Sequence, residues 1–263
     1  MPDSAVPALA RVWRGVPSDG RRDVPEETPV ALVYDASTEA VMMATPADLE
    51  DFAVGFSLTE GLIATPRDIA RLDIVEGDNG IEARMWLKAE RSQMVMARRR
   101  SRTGPTGCGL CGVESLDDAV RVRGAITADL SMTADDILAA VAALEAHQPL
   151  GAQTRAVHAA GFWTDGVMVA VREDVGRHNA LDKLAGALAR QGVSASGAVV
   201  LTSRVSVEMV QKTVAMNAPV LIAISAPTAL ALRTAEAAGL TVVAVARSNG
   251  FEVFTHGRRI VMG

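Results

Sequence analysis

Cysteine is scarce in this chain of 263 residues, with only two positions, and no apolar run approaches the roughly 20 residues a membrane-spanning helix needs. Apolar stretches such as Pro219–Ala226 and Leu240–Ala246 are of a length that suits buried strands. The first 27 residues hold Arg11, Arg14, Arg21 and Arg22 broken by prolines and glycines, without the continuous apolar segment of a signal peptide. They are expected to form a loose, disordered tail. Two cysteines and no export signal point to a reducing cytoplasm. A strong positive charge is also missing: the formal net charge is −5, which argues against general nucleic-acid binding. No complete GxGxxG or GxxxxGK[ST] phosphate fingerprint appears. With 49% apolar and 22% charged residues, the chain can bury a large core as one big domain or two modest ones.

The two cysteines lie three positions apart, in Thr106-Gly107-Cys108-Gly109-Leu110-Cys111-Gly112, shortly after Arg98, Arg99, Arg100 and Arg102. A core cysteine wants apolar neighbours at helix or strand period, whereas this segment offers glycines and nearby cations. A free thiol of pKa about 8.5 is a few per cent thiolate at neutral pH, and cationic neighbours pull it towards roughly 7. Three chemistries fit a lone Cys-x-x-Cys. Zinc needs four ligands, and with no second pair the others must come from His147, His158, His178 or His256, all distant in sequence. A thioredoxin-like redox pair normally sits between an early strand and a helix, not in a glycine-flanked loop. A swinging loop also suits carrying a group between proteins.

The chain divides at this loop. Residues 28–125 read as a mixed α+β unit that is mostly antiparallel. Strands are expected at Val30–Tyr34, Ala40–Ala44, Ile69–Glu76, Ile81–Leu87 and Gln93–Arg98, with a helix from a Thr45 cap through Phe52 and Phe56 to about Gly61. Residues 126–263 alternate after a Thr133-capped helix at Ala134–Ala146. Strands are expected at Ala156–Thr164, Val167–Arg172, Ala198–Thr202, Val220–Ser225 and Thr241–Arg247, and helices at His178–Gln191, Val207–Met216 and Thr228–Ala238. Such alternation with near-continuous apolar strands predicts an α/β layer with a mostly parallel sheet.

Loops that follow parallel strands share one rim, where open α/β sheets bind ligands. Here those loops carry Arg172, Arg177, Arg204 and Arg247, with Ser203, Ser206, Ser225, Thr228 and Ser248 beside helix N-termini, a set suited to a phosphate-bearing ligand. The plainer reading makes the hydroxyls helix caps and pairs the arginines with acids. The densest polar cluster, Glu173 through Lys183, places His178 where Asp174 or Glu173 could orient it as a proton shuttle, with Arg177 holding a phosphate. Alternatively Asp174 is a cap and His178 a structural histidine. His158 interrupts an otherwise apolar strand.

Several blocks in order carry a family resemblance: Glu27–Tyr34, Asp48–Phe56, Thr59–Ile63, the Cys108 loop, Val157–Ala160, Glu173–Lys183, Glu208–Lys212 and Ser225–Thr228. Over roughly residues 27 to 256 the chain resembles the FdhD family, sulfur carriers required for formate dehydrogenase activity. The resemblance implies a C-terminal cytidine-deaminase-like fold and a persulfide sulfurtransferase. In that reading Cys108 accepts sulfur from a cysteine desulfurase, assisted by Cys111. The acceptor is the molybdenum or tungsten of a bis(molybdopterin guanine dinucleotide) cofactor destined for apo-formate dehydrogenase. The family's cofactor segment maps onto Val245, Ala246, Arg247, Ser248, Asn249 and Gly250, with Arg177, His178, Ser203, Arg204, Ser225 and Thr228 as further candidates; GDP-like nucleotides are expected to bind there. Ser248-Asn249-Gly250-Phe251 replaces the commoner arginine, glycines and second arginine. Deamination is not implied, because neither H-x-E nor P-C-x-x-C is present and no metal ligands are assigned. The expected assembly is a cytoplasmic homodimer without nucleic-acid or membrane partners.

Overall fold

A computed structural model describes residues 1–102 and 124–262; Cys108 and Cys111 lie outside the described residues. The chain opens on a hairpin of β1 (Ala5–Trp13) and β2 (Pro17–Pro25), paired along nine registers. It is followed by β3 (Thr28–Tyr34), β4 (Ser37–Ala44), α1 (Leu49–Thr59), β5 (Ile69–Gly77), β6 (Gly80–Leu87) and α2 (Ala89–Arg102). Strands β4, β3, β6 and β5 form a sheet in that order. The β3–β6 pair is the parallel one: hairpins join β3 to β4 and β5 to β6, and α1 carries the chain from β4 across to β5. Alternation sets which face is buried: Ile81, Ala83, Met85 and Leu87 of β6 point inward, with Glu82, Arg84 and Trp86 between them. They pack with Val30, Leu32, Tyr34 and Phe52 into the first core.

Three local expectations are corrected. The N-terminal segment is a hairpin and not a loose tail, since Arg14-Gly15-Val16 forms the turn, with Gly15 at φ +88°. Its lower half is tied down by Arg22 Nη2 donating to the Thr154 carbonyl (2.9 Å) and Gln153 Nε2 to Asp23 (3.0 Å). The expected strand at Gln93–Arg98 is helical within α2, whose alanine, glutamate, glutamine, methionine and arginines favour helix and include one β-branched residue, Val95. Thr45 does not cap α1; Asp48, at φ +53°, precedes that helix.

The second unit runs β7 (Met132–Thr133), α3 (Ala134–Ala146), α4 (Pro149–Thr154), β8 (His158–Thr164), β9 (Val167–Asp174), α5 (Arg177–Gln191), β10 (Ala198–Leu201), α6 (Val207–Ala215), β11 (Val220–Ala223), α7 (Ala229–Ala238), β12 (Thr241–Arg247), β13 (Gly250–Val253) and β14 (Ile260–Val261). Its six-stranded sheet has the order β13-β12-β11-β10-β8-β9. Helices cover both faces. One core joins Leu181, Leu184, Met209 and Ala235 to Leu201 and Leu221, and the other joins Ile137 and Leu144 to Val200 and Ile222. The class is α/β as expected, and parallel pairing is confined to β10, β11 and β12. Both edges are antiparallel, since short turns at Asp165-Gly166 and Ser248-Asn249 fold β9 and β13 back on their neighbours. Because β8 is antiparallel to both β9 and β10, those two run the same way. The ends of β9, β10, β11 and β12 therefore share one rim.

The units meet where α1 crosses α5. A Cβ added to Gly55 would sit 1.7 Å from the Asp182 carbonyl oxygen, and one on Gly186 1.9 Å from that of Asp51. Only glycine allows this approach.

Candidate functional site

The rim stands on a buried polar frame. Asp174, at the end of β9, is fully buried and accepts hydrogen bonds from the Thr45 amide (3.0 Å), the Gly176 amide (2.8 Å) and Asn179 Nδ2 (2.9 Å). Lys183 Nζ lies 2.7 Å from the same carboxylate and donates to the Thr45 carbonyl at 2.9 Å. Burial pushes the Lys183 ammonium below its ordinary value and Asp174 opposes that shift. Asn179 Nδ2 also donates to the Met43 carbonyl at 2.8 Å. A second cluster joins Lys212 Nζ to Asp182 (2.9 and 3.0 Å) and to Thr59 (3.0 Å). Burial works against the Lys212 charge, but Asp182 and Glu60 outweigh it and raise its pKa. Both clusters bind the first unit to the second.

This frame changes the reading of Glu173–Lys183. Asp174 serves Lys183 and Thr45, and Glu173 accepts the Leu150 and Gly151 amides (2.9 and 2.7 Å) at the start of α4, so neither carboxylate orients His178 by a hydrogen bond. Arg172 spends its fork on Asp51, at 2.9 and 2.6 Å.

The side chains left over face the rim. Arg177 opens α5 after the Gly176 N-cap, and its Nε is buried without a hydrogen-bond partner. His178 follows it, half-buried, and burial together with the Arg177 and Lys212 charges pushes its pKa down to about 4. His158 begins β8 opposite Asp174 in register. It is held below its ordinary value by burial and by Arg177. One guanidinium thus stands close to two neutral imidazoles. At the next loop, Ser206 is the N-cap of α6, with its Oγ buried beside the Glu208 carboxylate. The loops are stitched together: the Val205 amide donates to the Ala226 carbonyl (3.3 Å), the Thr228 amide to Val205 (3.0 Å) and the Val245 amide to Ser225 (3.2 Å).

The other candidates divide by what they touch. Ser203 is buried with its hydroxyl donating to the Arg204 carbonyl (3.1 Å), while the Arg204 side chain is exposed. Ser225 is half-buried at the end of β11, and Thr228 caps α7 by accepting the Ala231 amide at 3.3 Å. Arg247, Ser248 and Asn249 are exposed on the β12–β13 turn, with Gly250 opposite Arg247 in register. Ala246 is buried in the core under α3, so its side chain does not face the rim. Val245, the first residue of the 245–250 segment, is half-buried and has φ +52°, in a bulge between Ala244 and Arg247. A β-branched residue there is strained, and nothing in its identity announces it.

Chemically, the rim offers three helix N-termini, a guanidinium with an unsatisfied donor and exposed arginines at 204 and 247, an arrangement suited to a phosphorylated anion. Among the described residues no cluster of His, Cys, Asp and Glu is arranged to hold a metal ion, and no helix is long and apolar enough to cross a membrane.

Comparison with known proteins bears on the whole chain. The model of the FdhD/NarQ family matches residues 25–261. A sulfur carrier protein FdhD from Agrobacterium fabrum is 54% identical over 97% of this chain and 95% of its own length. One from Cupriavidus necator is 48% identical over 96% of this chain and 88% of its own. A crystal structure described as a formate dehydrogenase accessory protein from Desulfotalea psychrophila superposes with a TM-score of 0.77 at 26% identity, covering 98% of this chain and all of that one. On this extent of matching, the chain belongs to the FdhD/NarQ family.

Proposed function

We propose that the chain is a sulfur carrier that accepts persulfide sulfur from a cysteine desulfurase on Cys108. It passes that sulfur to the molybdenum or tungsten of a bis(molybdopterin guanine dinucleotide) cofactor, its cargo, for apo-formate dehydrogenase. The observation that carries the reading is full-length similarity to proteins named sulfur carriers in a chain whose sole cysteines form one Cys-x-x-Cys.

The thiol chemistry balances. The Cys108 thiolate attacks the outer sulfur of the desulfurase persulfide; that S–S bond breaks, the desulfurase thiolate leaves, and Cys108 now bears the persulfide. Release as sulfide needs two electrons. Cys111 supplies them when its thiolate attacks the inner sulfur: the outer sulfur departs as hydrosulfide and a Cys108–Cys111 disulfide forms, to be reduced by an external dithiol. The arginines before the loop favour both thiolates.

The rim supports the cargo half of the reading. Arg177 and the α5 and α6 N-termini suit the diphosphate, Arg247 and the β12–β13 turn suit the nucleotide end, and the bulge at Val245 sets where that turn projects. Neutral His158 and His178 can accept or donate hydrogen bonds without adding charge. The test is GDP binding monitored by chemical-shift changes: shifts clustering on Arg177, Ser206, Val245 and Arg247 are expected, and clustering elsewhere refutes the site. A cofactor or apo-enzyme chaperone whose cysteines carry no sulfur is the alternative, and it predicts nucleotide binding without sulfur loading.

A further inference from the structure

The diphosphate end of the rim holds an acid among its anion-binding groups. Glu208 stands in the first turn of α6, two residues after the Ser206 N-cap, and is exposed. Its carboxylate lies beside the buried Ser206 hydroxyl and its own backbone amide, within electrostatic reach of His178 and Arg177 on α5. Partial desolvation works against its charge, but Ser206, its own amide, His178 and Arg177 outweigh it and hold the carboxyl below its ordinary value. Neither α5 nor α6 is closed by a side-chain hydrogen bond from its N-cap residue, whereas Thr228 closes α7. At α6 a carboxylate thus stands on the helix N-terminus, where a ligand phosphate would otherwise be drawn.

The charges around it nearly cancel. Lys183 pairs with Asp174, and Lys212 with Asp182 and Glu60. His178 and His158 are neutral at neutral pH, because burial and the Arg177 charge hold both below their ordinary value. The Arg177 guanidinium remains, and Glu208 offsets its charge without taking its buried Nε donor, which has no hydrogen-bond partner. Arg204, on the loop before α6, is exposed, so its charge is screened. A terminal phosphate carries roughly 1.5 to 2 negative charges near neutral pH, more than a phosphate esterified on both sides. Repulsion from a fixed carboxylate grows with the ligand's charge, so this end of the site suits the less charged group.

We propose that Glu208 sets specificity at the rim, repelling ligands that end in a free phosphate and admitting those whose diphosphate is esterified at both ends. Resting on the cargo reading of the rim, this supplies a selection that attraction alone does not. Free guanine nucleotides present the same base and diphosphate as the dinucleotide end of that cargo, and a repulsive group separates the two.

The test is the affinity of the full chain, by calorimetry at fixed ionic strength, for GDP and for GDP-mannose, whose terminal phosphate is esterified. Glu208→Gln should tighten GDP about fivefold to tenfold and GDP-mannose less than about twofold. Glu208→Lys should tighten GDP further. A purely structural role for Glu208 predicts instead a lower unfolding temperature and weaker binding of both ligands in both variants. That result, unchanged GDP binding, an equal gain for the two ligands, or a wild-type chain that binds GDP and not GDP-mannose would overturn the proposal and leave the rim as the nucleotide site. If neither ligand binds the wild-type chain or the variants, the reading of the rim is overturned, and the role of Glu208 with it.

Discussion

Helix α5 has two sides that look alike in sequence and behave oppositely in the fold. On its inner side Asn179, Asp182 and Lys183 are buried with hydrogen-bond partners in the first unit or at Asp174. At its leading end Arg177 holds a buried donor with no partner, and His178 is kept neutral beside it. Both sets fall within seven residues of chain. The difference teaches that density of polar residues marks a place where structure is demanding, and that satisfaction of their hydrogen bonds separates scaffold from site. A filled network fixes geometry; an unfilled donor leaves capacity for a ligand.

The contrast can be broken by substitution. The largest effect is expected at Lys183→Met, which leaves Asp174 charged and buried and should cost about 3–5 kcal/mol in urea unfolding; a cost below about 1 kcal/mol would place Lys183 outside the scaffold. Gly186→Ala comes next, since its Cβ would meet the Asp51 carbonyl oxygen at 1.9 Å and α1 must shift. A loss of about 1–3 kcal/mol or more is expected by the same measurement. Arg177→Ala should do the reverse of both, leaving stability within about 0.5 kcal/mol. Its GDP affinity, by calorimetry, should fall tenfold to a hundredfold, as for loss of a hydrogen bond to a charged group worth about 1.5–3 kcal/mol. If Arg177→Ala unfolds the protein instead, the two sides of α5 are not distinct.

At neutral pH the smallest effect is expected at His178, whose contribution shows only as a pH dependence. The folded-state pKa of His178 lies near 4, below its ordinary 6.5, so the unfolded chain takes up the proton first. Stability from this group is fully present above about 6.5 and is lost as pH falls from there towards 4, with His158 acting in the same direction. Replacing His178 with asparagine should flatten that part of the stability curve while leaving the neutral-pH value nearly unchanged.

Much of this fold was legible because its signals are local. Strands β10, β11 and β12 are unbroken apolar runs, Thr133 with Asp136 forms a capping box, and the loops between strands and helices mark the rim. The direction of β9 could not be read from its own residues; it follows from the antiparallel turn at Asp165-Gly166 that returns it beside β8. At the site, Arg177, His178 and the β12–β13 turn were legible as polar residues at strand ends. Their sorting was not: whether Asp174 serves His178 or Lys183 depends on Thr45, 129 residues away in sequence. The backbone of Val245, a residue the family segment had nominated, was illegible for another reason, since a valine with positive φ contradicts the preference of its type and occurs here in a bulge where its amide meets the Ser225 carbonyl. The hairpin was hidden by its prolines and glycines, which act as turn and edge residues here.

Sulfur carriage by Cys108 can be read from the intact mass of the chain. After incubation with cysteine and a cysteine desulfurase, the wild-type chain should gain about one sulfur, removable by a thiol reductant, and Cys108→Ala should gain none. A wild-type chain that gains nothing, or a Cys108→Ala chain that still gains sulfur, would rule out Cys108 as the carrier.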